Sequence, residues 1–219
     1  MNIQFRWQPQ SILLLTIIIL LSACQPISSV KDKSENKVAQ ITNENTDYAI
    51  FAGGCFWCTE SDFDKIPGVV STISGYIGGT VANPTYEQVT TGATGHIEAV
   101  KVYFDSTKAN FSDLTEAYWL TIDPLTPNQQ FCDIGSQYRS AIFYRNSDQK
   151  KLAETSKKTL EASGRFTYPI VAEILPESEF YPAEEYHQDY YIKNPLRYMY
   201  YRKSCGRDKR LEELWGVKH

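Results

Sequence analysis

At 219 residues with a net charge of −4 (22 Lys and Arg against 26 Asp and Glu), the chain is sized for one domain or at most two, and its acidic balance argues against general nucleic-acid binding. With 42% hydrophobic and 13% aromatic residues it can build an ordinary core without staples, so its five cysteines are open to redox roles as well as structural ones.

Arg6 precedes an apolar run over 12–21, too short to span a bilayer but suited to the core of a signal peptide. The run ends in Leu21-Ser22-Ala23-Cys24, which resembles the lipobox of bacterial lipoproteins, where the cysteine carries lipid and begins the mature chain. By that resemblance residues 1–24 are a lipoprotein signal peptide, Cys24 is lipidated, and the protein is extracytoplasmic, held to a bacterial membrane on its periplasmic side or at the cell surface. Residues 25–46 are polar and read as a flexible tether with a reach on the order of 25 Å. Cys55, Cys58, Cys132 and Cys205 remain for the domain over 47–219.

That domain opens with a short apolar strand over 48–52, a Gly53-Gly54 turn and a helix over 59–65. Cys55 then lies at or near a helix N-terminus, where unpaired N–H groups and the macrodipole favour thiolate over thiol. After a turn at Ile66-Pro67-Gly68 come a β-branched strand over 69–76, a Gly-rich loop over 78–84 and a helical turn over 86–89. The alternation over 97–104 predicts a strand with Ile97, Ala99 and Tyr103 on one face and Glu98, Val100, Val102 and Phe104 on the other. Glu98 is thereby set among apolar neighbours, which raises a carboxyl pKa.

A helix over 110–122, a long loop holding Cys132 and Asp133, a strand over 140–144, a helix over 148–162 and a strand over 170–175 follow. The order β-α-β-β-α-β-α-β, with a hairpin between the second and third strands, predicts an α+β two-layer domain with a mixed sheet packed against helices. The last 40 residues, rich in Tyr and Arg, read as a long irregular tail packed over the domain, with a short helix near 211–215.

Seven segments in order resemble the type A methionine sulfoxide reductases (MsrA). They are Gly53-Gly54-Cys55-Phe56-Trp57, Pro67-Gly68-Val69, Gly75-Tyr76-Ile77-Gly78-Gly79, Asn83-Pro84-Thr85-Tyr86, Thr94-Gly95-His96-Ile97-Glu98-Ala99-Val100, Asp133 with Gln137-Tyr138-Arg139-Ser140-Ala141-Ile142, and His187-Gln188 before Asn194-Pro195. The resemblance implies reduction of the S epimer of methionine sulfoxide, free and in proteins, in the repair of oxidised extracytoplasmic proteins. It makes Cys55 the nucleophile at sulfur, Glu98 the protonated acid, Tyr86 and Tyr138 hydroxyl donors to the sulfoxide oxygen, Asp133 part of their network, and Phe56 with Trp57 the pocket for the S-methyl group. A sulfenic acid on Cys55 then needs a second thiol. The tail departs from the common family pattern in having a single late cysteine, so Cys205 is put first as resolver and Cys58, three residues from the nucleophile, close behind; Cys132 is as readily a small buried side chain as a redox partner. The implied reductant is an external dithiol such as a thioredoxin-like protein, with no metal or organic cofactor. His96 and His187 beside the Cys-x-x-Cys pair lack the second close ligand pair of a structural zinc site. Two other readings stand beside this one: a general dithiol-disulfide oxidoreductase built on Cys55 and Cys58, and a non-catalytic surface lipoprotein that binds partners.

Overall fold

A computed structural model of the protein describes residues 44–216. The signal-peptide reading, Cys24 and nearly all of the tether lie outside the described residues. Six strands form the main sheet: β1 (Thr46–Gly53), β2 (Val69–Ile77), β3 (Ile97–Asp105), β6 (Ser140–Tyr144), β7 (Glu173–Pro176) and β8 (Phe180–Pro182). Their spatial order is β7-β6-β1-β3-β2-β8, antiparallel throughout except for the parallel β6–β7 pair. The sheet is mixed and the class is α+β, as the element order predicts.

The helices are α1 (Phe56–Phe63), α2 (Tyr86–Thr90), α3 (Phe111–Trp119), α4 (Ser147–Ala162), α5 (Tyr190–Lys193), α6 (Pro195–Ser204) and α7 (Arg207–Trp215). Three of them start on side-chain caps, of which the sequence reading anticipates the one at Asn110. Thr85 and Asn110 form capping boxes with Gln88 and Asp113, and Asn146 accepts from the N–H groups of Asp148 and Gln149. α1 begins three residues earlier than its apolar pattern suggests, so Cys55 is its N-cap residue.

The predicted alternation of β3 holds. Val100, Val102 and Phe104 belong to the larger core cluster with α1, α3 and α7, whereas Ile97 and Ala99 join Ile50, Ala52, Ile77, Ala141 and Phe143 on the opposite face. That second face carries no helix-sized cluster; Lys101 lays its stem there, with Nζ 4.6 Å from the Tyr48 ring and 4.9 Å from the Phe180 ring. In the larger cluster Phe51 is fully buried against the rings of Phe63, Tyr118 and Phe111 at 4.8, 5.2 and 6.2 Å. Truncating such a ring to Ala costs about 3–5 kcal/mol.

The last 40 residues are far more regular than their sequence reads. β8 adds an edge strand to β2, and the approach is so close that a Cβ on Gly75 would lie 2.4 Å from the Phe180 ring and 2.5 Å from the Tyr181 carbonyl. The helices beyond it are fastened by charge as well as by apolar contact. Arg202 pairs with Asp62 of α1 at 2.8 Å, and Arg207 donates to the carbonyls of Gly53 and Thr121 at 3.1 and 2.7 Å, all three side chains being buried. Leu211, Leu214 and Trp215 complete the main core, with the Trp215 indole N–H donating to the Ile122 carbonyl at 3.0 Å.

The predicted long loop holds a small hairpin, β4 (Gln129–Gln130) and β5 (Asp133–Ile134), turned through Phe131 and Cys132. Its root is fixed by Gln130, whose amide exchanges hydrogen bonds with the Asp123 backbone at 2.6 and 2.9 Å.

Candidate active site

The C-terminal end of β1 runs into the N-terminus of α1 through Gly53-Gly54, in the middle of the sheet. Gly54 has φ +81°, and a Cβ there would meet the Gln130 side chain at 2.4 Å, so only glycine lets the strand turn beneath the β4–β5 hairpin. This turn delivers Cys55 to a small hollow of about 70 Å³, lined by Cys55, Phe56, Trp57, Tyr86, Glu98, Asp133, Tyr138 and Tyr201. Every catalytic and substrate-binding residue named from the sequence is among these eight. The volume takes a few heavy atoms, the size of a methylsulfinyl group.

Glu98 reaches the hollow from β3, opposite Tyr76 in the register, and is 2% exposed. Its Oε2 accepts from the Phe56 backbone N–H at 3.0 Å, one of the donors that a helix N-terminus leaves unpaired. That bond favours the ionised form, but burial outweighs it, and Asp133 and Cys58 add to the effect: the Glu98 carboxyl is pushed up to about 8. It is therefore a carboxylic acid at neutral pH. Burial also holds the Tyr86 and Tyr138 hydroxyls well above the usual phenol range, so both stay donors.

The cysteines correct one expectation. The helix N-terminus favours a thiolate on Cys55, yet burial, a hydrogen bond to Cys58 and the nearby Glu98 and Asp133 carboxyls push the Cys55 thiol well up. Cys58 is lowered instead, because it receives that hydrogen bond and lies near Arg207 and Arg202. Of the two, Cys55 is the group that holds its proton more firmly.

Tyr201 is the residue that sequence reasoning missed. It comes from α6, donates to Asp133 Oδ2 at 2.6 Å and contacts Cys55. Asp133 is raised by burial, with the Tyr201 bond and Arg207 opposing. Tyr190 and His187 form the wall behind Trp57. The Trp57 indole stacks on Tyr190 at 3.7 Å and donates to His187 Nδ1 at 3.0 Å. Burial lowers His187, so its ring is neutral with the proton on Nε2. Glu184 steadies Tyr86 from outside, accepting from its backbone N–H at 2.8 Å and from the Tyr76 hydroxyl at 2.9 Å. His187 is marked in the sequence by its family segment, but the only hint of Tyr190 and Tyr201 is the density of tyrosine in the tail, which marks packing without saying against what.

His96 is not in the site: it accepts from Gly79 N–H and bonds the Val81 carbonyl in the Gly-rich loop. Cys205, placed first as resolver from the sequence, is joined to Cys132 in a disulfide, while Cys55 and Cys58 are free and buried. Cys132 is exposed at the hairpin tip, not the small buried side chain allowed for. Cys132, Asp133 and Cys205 cluster closely enough to suggest a cation site, but both sulfurs are spent in the disulfide and neither can act as a thiolate ligand.

Comparison with known proteins agrees with this geometry. A family model described as peptide methionine sulfoxide reductase matches residues 47–219. The peptide methionine sulfoxide reductase MsrA of Halalkalibacterium halodurans is 54% identical over 168 residues, covering 77% of this chain and 96% of that protein. Its counterpart in Bacillus licheniformis is 52% identical over 176 residues, 80% of this chain and 97% of the relative. Among solved structures, methionine sulfoxide reductase A of Corynebacterium diphtheriae is similar at 36% identity with a TM-score of 0.64, over 71% of this chain and 78% of that one.

Proposed function

The chain belongs to the peptide methionine sulfoxide reductase family and reduces methionine sulfoxide, and from that premise we propose how its own residues do so. The observation that carries the reading is the juxtaposition of the Cys55 thiol with a protonated Glu98 in a hollow of about 70 Å³, a size that suits a methylsulfinyl group. Phe56 and Trp57 take the S-methyl group. Glu98 and the hydroxyls of Tyr86 and Tyr138 donate to the sulfoxide oxygen, and Asp133 with Tyr201 closes the network. As Glu98 passes its proton to that oxygen, Cys55 attacks the sulfur and its own proton moves to Cys58 along their hydrogen bond. The hydroxyl then passes from the substrate sulfur to Cys55 as the bond between the two sulfurs breaks, so methionine leaves and Cys55 becomes a sulfenic acid. The thiol of Cys58 then attacks Cys55, forming the Cys55–Cys58 disulfide and releasing water. The geometry thus favours Cys58 over Cys205 as first resolver, because Cys58 already touches Cys55 and Cys205 is engaged elsewhere.

The S epimer is the substrate, in free methionine sulfoxide and in proteins, and the electrons come from an external dithiol of thioredoxin type, without metal or organic cofactor. Residues 1–24 direct the chain out of the cytoplasm and Cys24 anchors it by lipid, so the proteins repaired are extracytoplasmic. Among the described residues no helix is long and apolar enough to cross a membrane.

Turnover of each separated epimer with dithiothreitol tests the chemistry. Loss of the S epimer alone, abolished in Cys55→Ser, is expected; equal loss of both epimers sinks the stereochemical assignment. In Cys58→Ser a dimedone-type reagent should label Cys55 as sulfenic acid, and a Cys55–Cys205 disulfide found there and in wild type alike would restore Cys205 as first resolver. Radiolabelled palmitate entering wild type but not Cys24→Ala would establish the anchor, and equal labelling of the two would remove it.

A further inference from the structure

We propose that the outer edge of β5 is the docking site for the polypeptide around an oxidised methionine, which adds to the β4–β5 hairpin as a short antiparallel third strand and so aims its sulfoxide into the Cys55 hollow. The inference rests on the reading of that hollow as the sulfoxide site. At about 70 Å³ the hollow takes the end of the side chain, and the backbone that carries it has to lie outside. The hairpin stands at that entrance, because Asp133 of β5 lines the hollow.

The register of the hairpin decides which backbone groups it offers. Gln129 stands opposite Ile134 and Gln130 opposite Asp133, and the Gly135 N–H donates to the Asn128 carbonyl at 2.9 Å, which continues the register by one pair. Antiparallel pairs alternate between those that exchange backbone bonds and those that exchange none. Asn128 with Gly135 and Gln130 with Asp133 are the bonded kind and Gln129 with Ile134 the other, so the N–H and C=O of Ile134 point away from β4. Among the described residues no third strand lies on that side, since the hairpin is a sheet of two. Gly135, with φ +142°, then swings the chain into the tight turn Ser136–Tyr138, which leaves Ile134 as the one residue of β5 with this outward donor and acceptor.

The side chains agree with the backbone. Asp133 turns inward, bonded to Tyr201 at 2.6 Å in the wall of the hollow, whereas Ile134 turns outward and is 74% exposed. A peptide residue that exchanges both bonds with Ile134 lays its own side chain beside that of Ile134 on the outer face. The next residue of the peptide falls opposite Asp133 in an unbonded pair, the kind in which Cα atoms approach to about 4.5 Å, and its side chain enters on the face of the hollow. That next residue is the methionine sulfoxide. The edge is fixed before the peptide arrives, because Gln130 is bound to the Asp123 backbone at 2.6 and 2.9 Å and Asp133 to Tyr201, so ordering falls on the peptide alone. The favoured partner is thus an extended segment with an apolar residue immediately before the sulfoxide, packed on Ile134.

The test uses the full chain with dithiothreitol and an acetylated peptide amide, Ala-Ala-Leu-Met-Ala, whose methionine is the S-sulfoxide. An ester in place of the leucine amide removes the N–H that the Ile134 carbonyl accepts, and should lower kcat/KM roughly tenfold, chiefly through KM. The same ester one residue earlier removes an N–H that faces away and should leave kcat/KM within about twofold of the parent. Equal rates for all three peptides, or an equal loss with both esters, would overturn the docking edge while free methionine sulfoxide is still reduced. Failure to reduce free methionine S-sulfoxide would instead overturn the reading of the hollow on which the proposal rests. The outward side chain is tested separately: serine in place of the peptide leucine should cost several-fold with wild type, and Ile134→Ser should erase that difference. A leucine preference that survives in Ile134→Ser would overturn the register. The ester series needs only the wild-type chain, so it decides the matter even if the Ile134 variant folds poorly.

Discussion

The hollow around Cys55 has two sides of different origin. The sheet side, Cys55, Phe56 and Glu98, comes from the centre of β1, α1 and β3, where strand register and a helix N-terminus hold each group. The tail side, His187, Tyr190 and Tyr201, comes from residues at least 89 positions further along and is fastened by Arg202 on Asp62 and by Arg207 on backbone carbonyls. In the proposed mechanism the sheet side carries the reacting atoms, and the tail side walls them in. The two are coupled because burial is the main cause of the Glu98 shift, so the acid depends on walls it does not itself supply.

If this division is right, variants on the sheet side lose rate and keep stability. Cys55→Ser should abolish turnover. Glu98→Gln should lower kcat by roughly 10²–10⁴-fold with the melting temperature little changed; a large drop in melting temperature would show that Glu98 is part of the framework instead.

The acid also fixes a pH dependence. The rate of methionine formation in a single turnover should fall as pH rises through about 8, where Glu98 loses its proton. The same group affects stability with a definite sign. Between the ordinary carboxyl value of 4.5 and about 8 the folded state holds a proton that the unfolded state has lost, so the unfolding free energy contributed by Glu98 declines as pH rises across that window and is flat above it. Urea titrations of wild type and Glu98→Gln over this range should show the decline only in wild type.

On the tail side the order reverses. Arg202→Met leaves Asp62 buried without that guanidinium and should cost about 3–5 kcal/mol of stability, measured by urea unfolding. Activity per folded molecule should fall far less than in Glu98→Gln; an equal fall would erase the distinction between the two sides. The smallest effect is expected from Tyr201→Phe, which keeps the ring against Trp57 and removes the bond to Asp133. A hydrogen bond to a charged group is worth about 1.5–3 kcal/mol, so a loss of roughly tenfold in kcat/KM is expected, with no change in the pH at which the rate falls.

Much of this was legible in the chain. The alternation of β3 put Glu98 on the core face, the glycines before Cys55 marked the turn, and Asn110 marked the start of its helix. The family motifs brought Tyr86, Tyr138 and Asp133 to the same place. The tail was misjudged because α6 has weak apolar periodicity and is held by Arg202 and by stacked tyrosines, and because Arg207 of α7 finds its partners in distant segments.

The sequence by itself determined the elements and the chemistry-bearing positions, because strand alternation, helix caps and tight glycine turns are set by neighbours a few residues apart. Only the tertiary structure decided that Cys55 stays a thiol in the empty site, that Tyr201 completes the hollow and that Cys205 pairs with Cys132 across 73 residues. Those outcomes depend on desolvation and on which distant side chains come into contact, and both arise only when the packed core brings the tail over the sheet.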